Sequence, residues 1–318
     1  MKSRPLLLAK LSMVNLAMLL TVFLCGTWVA ERTSLTTLIG YTPQAQWLLP
    51  SALLILVCGF KKQRRLLALN ILGFLVLGWL LLGFTVPTGR ARENSRAFSL
   101  MTYNIHHGDG GWDEIQNLIK KRKPTVFCLQ EANAVGRYGW PVTEVSGYHL
   151  VRAGGLVIGS RLAILDSRVV SLAPGTADAL EATLANGITV VTVQLKSFAV
   201  ERVAKKNLGS VPGHLNNIAL IHSRQAARLV ESYQHNPNVV ICGDFNGPPR
   251  GSVYRSLTKS FNDLFAQSGW GPGYTYPSSL PLLRIDYAFS SGLAPVSAEV
   301  IDSQLSDHRP VIFELQPR

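Results

Sequence analysis

Three apolar stretches at the start of the chain constrain it more than any other feature. Leu11–Ala30 runs 20 residues without a charge, Trp47–Phe60 is shorter, and Leu66–Val86 runs 21 residues with Asn70 as its only amide. A bilayer core about 30 Å thick takes roughly 20 helical residues. The first and third stretches meet that length. The middle one does so only by extending back to Gln44, and is otherwise a short, thinning or re-entrant segment. The spacing therefore predicts transmembrane helices over 11–30, 44–60 and 66–86 within a membrane anchor spanning 1–86. A cleaved signal peptide ahead of a soluble protein is the alternative. The length of the first stretch and the two that follow it argue against that.

Charge orients the anchor. Lys2, Arg4 and Lys10 accompany the first stretch, and Lys61, Lys62, Arg64 and Arg65 sit between the second and third. The loop between the first two holds Arg32 as its one basic residue. Basic residues are retained on the cytoplasmic side, so the N-terminus and the 61–65 hairpin are expected inside. Three spans of a cytoplasmic membrane then place the rest of the chain in the extracytoplasmic space, although Arg90, Arg92 and Arg96 weigh against this. The net charge of +12 looks suited to nucleic acid, but it is unevenly distributed. Residues 1–98 hold 11 Lys and Arg against Glu31 and Glu93, which leaves only +3 for residues 99–318.

Residues 87–98, with Pro, Gly and Asn among polar neighbours, read as a linker. The 99–318 segment that follows is long enough for one large core. Its pattern alternates: strands over Phe98–Asn104, Thr125–Leu129, Leu162–Leu165, Ile188–Leu195, Asn238–Cys242, Ile285–Phe289 and Val311–Leu315, with helices over Trp112–Lys121 and Asn216–Tyr233. Strands dominate, which points to an α/β sandwich. The four cysteines include no CxxC pair, and are expected as free thiols rather than zinc ligands or a redox pair.

Polar residues gather where these strands end. Asn104 closes the first in YNIHHG, Glu131 the second in LQEAN, and Asp244 and Asn246 another in GDFN. Asp286 lies in RIDYAF, and Asp307 and His308 in SDHRP ahead of the last strand. A single such residue can be a turn former. Five strand ends of this kind can pool their oxygens on one edge of a sandwich, and carboxylates and amides are the ligands that Mg²⁺ prefers.

These motifs, in this order over residues 99–316, resemble those of the endonuclease/exonuclease/phosphatase superfamily, as in a membrane-anchored bacterial member. The resemblance implies the deoxyribonuclease-I-like fold, a four-layered α/β sandwich, and hydrolysis of phosphoester bonds dependent on Mg²⁺, with Mn²⁺ as a substitute. It casts Glu131 and Asp307 as metal ligands and Asn104 as support for both metal and phosphate. Asp244 would orient or deprotonate the attacking water, Asn246 would contact a phosphate oxygen, and His308 would act with Asp286 as its orienting carboxylate. Two positions depart from the pattern. Gln194 stands where the family usually has His, and an amide cannot shuttle a proton. His106 stands where many relatives have an acidic residue, and is expected near the metal or the phosphate. The expected partners are the lipid bilayer and a phosphoester, whether lipid headgroup, nucleic acid or small molecule. No protein partner is evident. A phosphomonoesterase or a catalytically weak binding relative are the competing readings. Outside the motifs, Arg202, Lys205 and Lys206 form a basic loop that suits either a phosphate backbone or solvent. Trp270, Tyr274 and Tyr276 could stack on a base, enter an interface or pack beneath their loop.

Overall fold

The computed structural model describes residues 3–87, 97–133, 144–174 and 179–317. Most of the expected linker, residues 88–96 with Arg90, Arg92 and Arg96, lies outside them. The chain divides into two compact units, Met1–Phe84 and Thr85–Arg318.

The first unit contains α1 (Ser3–Leu24), α2 (Ser34–Tyr41), α3 (Leu49–Phe60) and α4 (Arg64–Leu82). Among the described residues, two segments are long and apolar enough to cross a membrane, Leu6–Arg32 and Arg64–Leu82. The middle stretch differs from the single span expected. Ser34–Tyr41 and Gln44–Phe60 meet at 89°, and they make a third span only if the bent pair counts as one. Pro50 sits in the first turn of α3, where its missing N–H costs nothing and its fixed φ starts a helix. Gln44–Leu48 upstream forms a tighter 3₁₀ turn, so α3 itself is 12 residues, about 18 Å at helical rise.

This unit buries a polar seam beside an apolar cluster of Leu19, Val22, Leu48 and Leu81, and it exposes many apolar side chains. Ser12, Asn15, Ser51 and Asn70 are buried, while Met13, Val14, Leu53, Leu56, Phe60, Leu72 and Leu75 are exposed. Asn15 Nδ2 donates to Ser51 Oγ at 2.7 Å, and Asn70 Nδ2 donates to Ser12 Oγ at 2.8 Å and to the Leu66 carbonyl at 2.8 Å. Gly73 brings α4 close to α1, since a Cβ there would lie 2.1 Å from Leu16 Cδ2. Small residues at the contact and hydrogen bonds between helices are how helices associate in lipid.

The two interhelical bonds also set direction. The turn at Lys61–Gln63 makes α3 and α4 antiparallel neighbours. Ser51 is then nine residues from the hairpin and Asn70 six residues from it, so Ser51 lies about 4.5 Å higher at 1.5 Å per residue. Moving from Ser12 to Asn15 also covers about 4.5 Å along α1. The two steps agree only when α1 runs parallel to α4.

The second unit holds two six-stranded sheets. Its strands are β1 (Phe98–Asn104), β2 (Val126–Gln130), β3 (His149–Ala153), β4 (Leu156–Ser160), β5 (Ile164–Val170), β6 (Ala179–Leu184), β7 (Thr189–Gln194), β8 (Val239–Asp244), β9 (Asn262–Asp263), β10 (Asp286–Ser290), β11 (Leu293–Val300) and β12 (Val311–Pro317). Its helices are α5 (Trp112–Arg122), α6 (Val200–Lys206), α7 (Val211–Tyr233), α8 (Ser252–Leu257) and α9 (Leu264–Ser268). The sheet orders are β11-β12-β1-β2-β4-β3 and β5-β6-β7-β8-β10-β9. Each has one parallel pair at its centre, β1 with β2 and β7 with β8, joined through helices, as parallel neighbours require.

Four layers result, as the motifs imply. Leu100, Val126, Cys128 and Ile158 of one sheet pack on Ala182, Val190, Val240, Cys242 and Ala288 of the other. The opposite face of the first sheet, with Met101, Tyr103, Phe127 and Leu129, packs on Ile115 and Ile119 of α5. The opposite face of the second, with Val191, Val193 and Ile241, packs on Ala226, Leu229 and Tyr233 of α7. Both faces of the central strands are covered, which is why β2 and β8 open as unbroken apolar runs, VFCL and VVIC, rather than alternating ones. Helix α5 carries Asp113 and Glu114 in its first turn and Lys120, Lys121 and Arg122 in its last, matching its dipole. Cys58, Cys128 and Cys242 are buried free thiols, and Cys25 is a half-buried one.

Candidate active site

Sheet register collects the motif residues at one end of the sandwich. In the parallel pairs, Asn104 is level with Gln130, just before Glu131, and Gln194 is level with Asp244. Antiparallel pairing sets Asp286 opposite Asp244. The turn before β12 supplies Asp307 and His308. Leaving the strand ends takes unusual backbone: His106, His107, Glu131 and Asn246 have φ of 41°, 58°, 51° and 46°. Left-handed conformations at non-glycine residues cost free energy and gather at functional sites.

Side chains link these strand ends into one network. Asn104, 1% exposed, donates through Nδ2 to Glu131 Oε1 and to Asp244 Oδ2, both at 3.1 Å. Its Oδ1 accepts the His106 backbone N–H at 3.0 Å. Gln194 Nε2 donates to Glu131 Oε1 at 2.6 Å. Asn246 Nδ2 donates to Asp244 Oδ2 at 2.9 Å, and its backbone N–H donates to Oδ1 at 2.8 Å. Asp286 Oδ2 takes His308 Nδ1 at 2.8 Å and the Thr275 hydroxyl at 2.6 Å. The far nitrogen of His308 lies 3.9 Å from Asp244 Oδ2. Asp307 Oδ1 accepts from Ser306 Oγ at 3.2 Å and lies 3.9 Å from His106 Nδ1.

All nine residues expected at the site therefore meet, and two of them have partners the motifs do not specify. The Gln194 amide is engaged with Glu131. The His106 ring pairs with Asp109 at 2.8 Å, a residue the motifs do not mark. His107, also unmarked as a site residue, places Nε2 3.4 Å from Glu131 Oε2. The supporting hydroxyls of Thr275, Ser278 and Ser306 were missed as well, since nothing in their local sequence separates them from loop residues.

Electrostatics divides the buried groups into an acid and a cation. Burial pushes the Asp244 carboxyl up to about 7, helped by the Asp286 charge, against the pull of His308 and of the Asn246 and Asn104 donors. Burial alone would discharge His308, yet the Asp286 and Asp244 carboxylates outweigh it and raise it to about 10. Asp244, Asp286 and His308 bring ligand-type atoms within 4.8 Å of one another, a spacing that suits a metal ion. A protonated imidazole has no lone pair to give, and its Nδ1 is already hydrogen-bonded, so we read this trio as a carboxylate–histidine pair beside an acid. Glu131, Asp307 and Asn104 offer oxygen atoms, the donor type a hard divalent ion takes.

Strand order, four layers and this carboxylate-lined edge define a deoxyribonuclease-I-like α/β fold. The family model described as "Endonuclease/Exonuclease/phosphatase family" matches residues 101–308. The chain belongs to that family, whose members are hydrolases acting on phosphoester bonds. Among solved structures, a 3'-5' exonuclease from Neisseria meningitidis is 18% identical, covers 69% of this chain and 99% of its own, and superposes with a TM-score of 0.55. The human Nocturnin catalytic domain, solved with a bound sulfate anion, is 20% identical over 71% of this chain and 97% of its own, at 0.52. An AP endonuclease from Archaeoglobus fulgidus is 18% identical over 68% and 98%, at 0.51. At these identities the likeness is one of fold. No curated protein matches the chain.

Proposed function

We propose that the chain is a membrane-anchored, divalent-metal-dependent phosphodiesterase with its catalytic unit on the extracytoplasmic side. The continuous contact path from Gln194 through Glu131 and Asn104 to Asp244, with the His308–Asp286 pair beside it, is the observation that carries the reading. Glu131, Asp307 and Asn104 are the residues that would hold Mg²⁺ or Mn²⁺. Such an ion supplies charge neutralisation at the phosphate oxygens and the departing oxygen.

The chain's own groups account for the rest. Asp244, titrating near neutrality, takes the proton of the attacking water, which is the range a general base needs. Asn246 fixes that carboxylate and can turn its amide to a phosphate oxygen. His308, cationic and held by Asp286, donates from Nε2 to the phosphate as negative charge grows. Gln194 holds Glu131 in place. Because an amide has no proton to give up, the departing oxygen is protonated by solvent or by His308. Neighbours of this fold include a Neisseria 3' phosphatase bound to product DNA hairpin, so mono- and diesters and both nucleic acid and lipid headgroups belong in the test.

The anchor reading rests on the apolar exterior and polar seam of the first unit. Its orientation rests on α1 running parallel to α4. That arrangement puts Lys10, near the start of α1, at the same end as Lys61, Lys62, Arg64 and Arg65, and the positive end faces the cytoplasm. The end of α4 then emerges on the other side.

The test uses the full chain in detergent with Mg²⁺, Mn²⁺ or EDTA, against a phosphodiester, a phosphomonoester, DNA and a phospholipid. Metal-dependent cleavage is expected, abolished in Glu131→Ala and slowed about 10²- to 10⁴-fold in His308→Ala. Hydrolysis indifferent to EDTA and to both substitutions overturns the site. A reporter fused after residue 318 that works in the cytoplasm overturns the orientation.

A further inference from the structure

Thr85, the first residue of the second unit, forms an isolated antiparallel bridge with Gly271. The two backbones exchange N–H···O bonds at 3.0 Å in each direction, and Thr85 Oγ1 donates to the Gly271 carbonyl at 2.8 Å and the Gly269 carbonyl at 3.3 Å. The loop is held from another side too, where Gly269 bridges Ala298 of β11. Its glycines lie against a buried ring: a Cβ at Gly269 or at Gly273 would sit 2.6 Å from Phe265 Cε1. The loop is thus a rigid element of the second unit. Between the two bridged glycines stands Trp270, a large apolar side chain left 69% exposed.

Covalent geometry places this loop relative to the end of α4, whatever the orientation of the two units. Only Gly83 and Phe84 separate Leu82, the last residue of α4, from Thr85. Three peptide links reach at most about 11 Å between Cα atoms. If α4 crosses the bilayer, its last residue lies at the outer boundary of the hydrocarbon, and Thr85 with its bridged partner lies in the headgroup layer. Tryptophan is the residue best suited to that depth, with an apolar body for the acyl boundary and an indole N–H for water or headgroup oxygens. The same loop runs on to Leu280, 63% exposed beyond the Tyr276–Leu283 bridge.

We propose that the Gly269–Gly273 loop is a membrane-docking element, with Trp270 seated in the headgroup layer of the leaflet from which α4 emerges. Its partner is a phospholipid surface, and the inference rests on the reading that α4 spans the membrane. The docking loop is continuous with the catalytic one. Thr275 holds Asp286, Ser278 N donates to the Asp307 carbonyl at 2.7 Å, and the Tyr276 ring lies 5.0 Å from that of His308. A lipid surface bound at Trp270 therefore fixes the site's depth above the bilayer as well as tethering it.

Depth-dependent quenching tests this in the full chain, reconstituted in phosphatidylcholine/phosphatidylglycerol vesicles. Trp270→Cys, Leu75→Cys on α4 and Leu165→Cys on β5 are labelled one at a time with a polarity-sensitive dye in a Cys25→Ser background. The remaining cysteines are buried. Nitroxide lipids labelled near the headgroup should quench the dye at 270 at least twofold more than the dye at 165, while lipids labelled at mid-chain quench the dye at 75. Quenching at 75 with a dye at 270 that responds only to aqueous iodide overturns the docking and leaves the anchor standing. Absence of lipid quenching at 75 overturns the anchor, and the docking with it. Equal lipid quenching at 270 and 165 overturns the docking as well, because it shows adhesion without a preferred face.

Discussion

Asp263 and Arg284 form the most consequential buried ion pair of the second unit, with side chains only 3% and 4% exposed. Arg284 Nη2 donates to Asp263 Oδ1 at 2.5 Å, and the same oxygen caps α9 by accepting from Phe265 N at 3.0 Å and Ala266 N at 3.1 Å. Tyr254 donates to Oδ2 at 2.9 Å. The guanidinium is sandwiched between Phe265 and Tyr287 at 4.8 and 4.7 Å from the ring centroids. Asp263→Ala removes the cap, worth about 1 kcal/mol, and strands a buried cation, which costs about 3–5 kcal/mol. The sum of about 4–6 kcal/mol is a large share of the 5–15 kcal/mol typical of a whole domain. At about 2–4 °C per kcal/mol for a unit of this size, the melting temperature falls by roughly 10–20 °C. Near-UV circular dichroism of the full chain in detergent reads that transition. The Asp263→Asn/Arg284→Met double variant keeps the cap and removes both charges, and should recover most of the loss. If Asp263→Ala lowers melting by under about 4 °C, or if the double variant is no better than Asp263→Ala, the stranded charge is not the dominant cost.

Three further outcomes follow from the second unit. His222 is buried with Nε2 donating to the Lys196 carbonyl at 2.6 Å, and burial lowers it to about 4 despite that bond. The unfolded chain therefore takes up the proton first as pH falls through about 6.5. The contribution of this group is complete above that value and declines toward pH 4 by about 3 kcal/mol; because Asp244 titrates in the opposite sense over the same range, the loss is read as the difference between wild type and His222→Leu in melting against pH. Gly243, at φ 141°, would place a Cβ 2.0 Å from the Val193 carbonyl, so Gly243→Ala should destabilise by about 2 kcal/mol or more and disturb the adjoining Asp244; unchanged melting refutes the close approach. Thr275→Val deletes the hydroxyl on Asp286 and should slow turnover roughly tenfold, the rate equivalent of one hydrogen bond of 1–2 kcal/mol, with circular dichroism unchanged; wild-type kcat refutes a positioning role.

The parts of the fold that could be read from sequence are those buried on both sides. β1 spans the expected Phe98–Asn104, and β2, β8, β10 and β12 fall within about two residues of the runs that announce them, each ending where an apolar run meets a polar group. Edge strands give no such signal. β3 and β5 are largely exposed, so HLVRA went unmarked and β5 runs Ile164–Val170 where a strand over Leu162–Leu165 was expected. β4 and β6 are buried but carry no motif residue to mark their ends, and the five-turn helix expected over Asn216–Tyr233 begins at Val211 because Pro212 starts it. At the site, motif order identifies which residues assemble, but not their partners. That Gln194 grips Glu131, that His106 turns to Asp109, and that His308 is held cationic depend on distances across two sheets. The Arg of RIDYAF likewise passes as one motif letter, with nothing nearby to reveal Asp263, 21 positions upstream.

The polar seam of the first unit has a consequence for how the chain is made. In hydrocarbon, an amide N–H without a partner is costly, and the Asn70 Nδ2 donates across the bundle to Ser12 Oγ. Synthesis proceeds from the N-terminus, so, if these helices cross a bilayer as proposed, Ser12 is in place before Asn70 arrives. On that reading the first helix acts as a template laid down ahead of the last, while its own Asn15 waits for Ser51, which is made later.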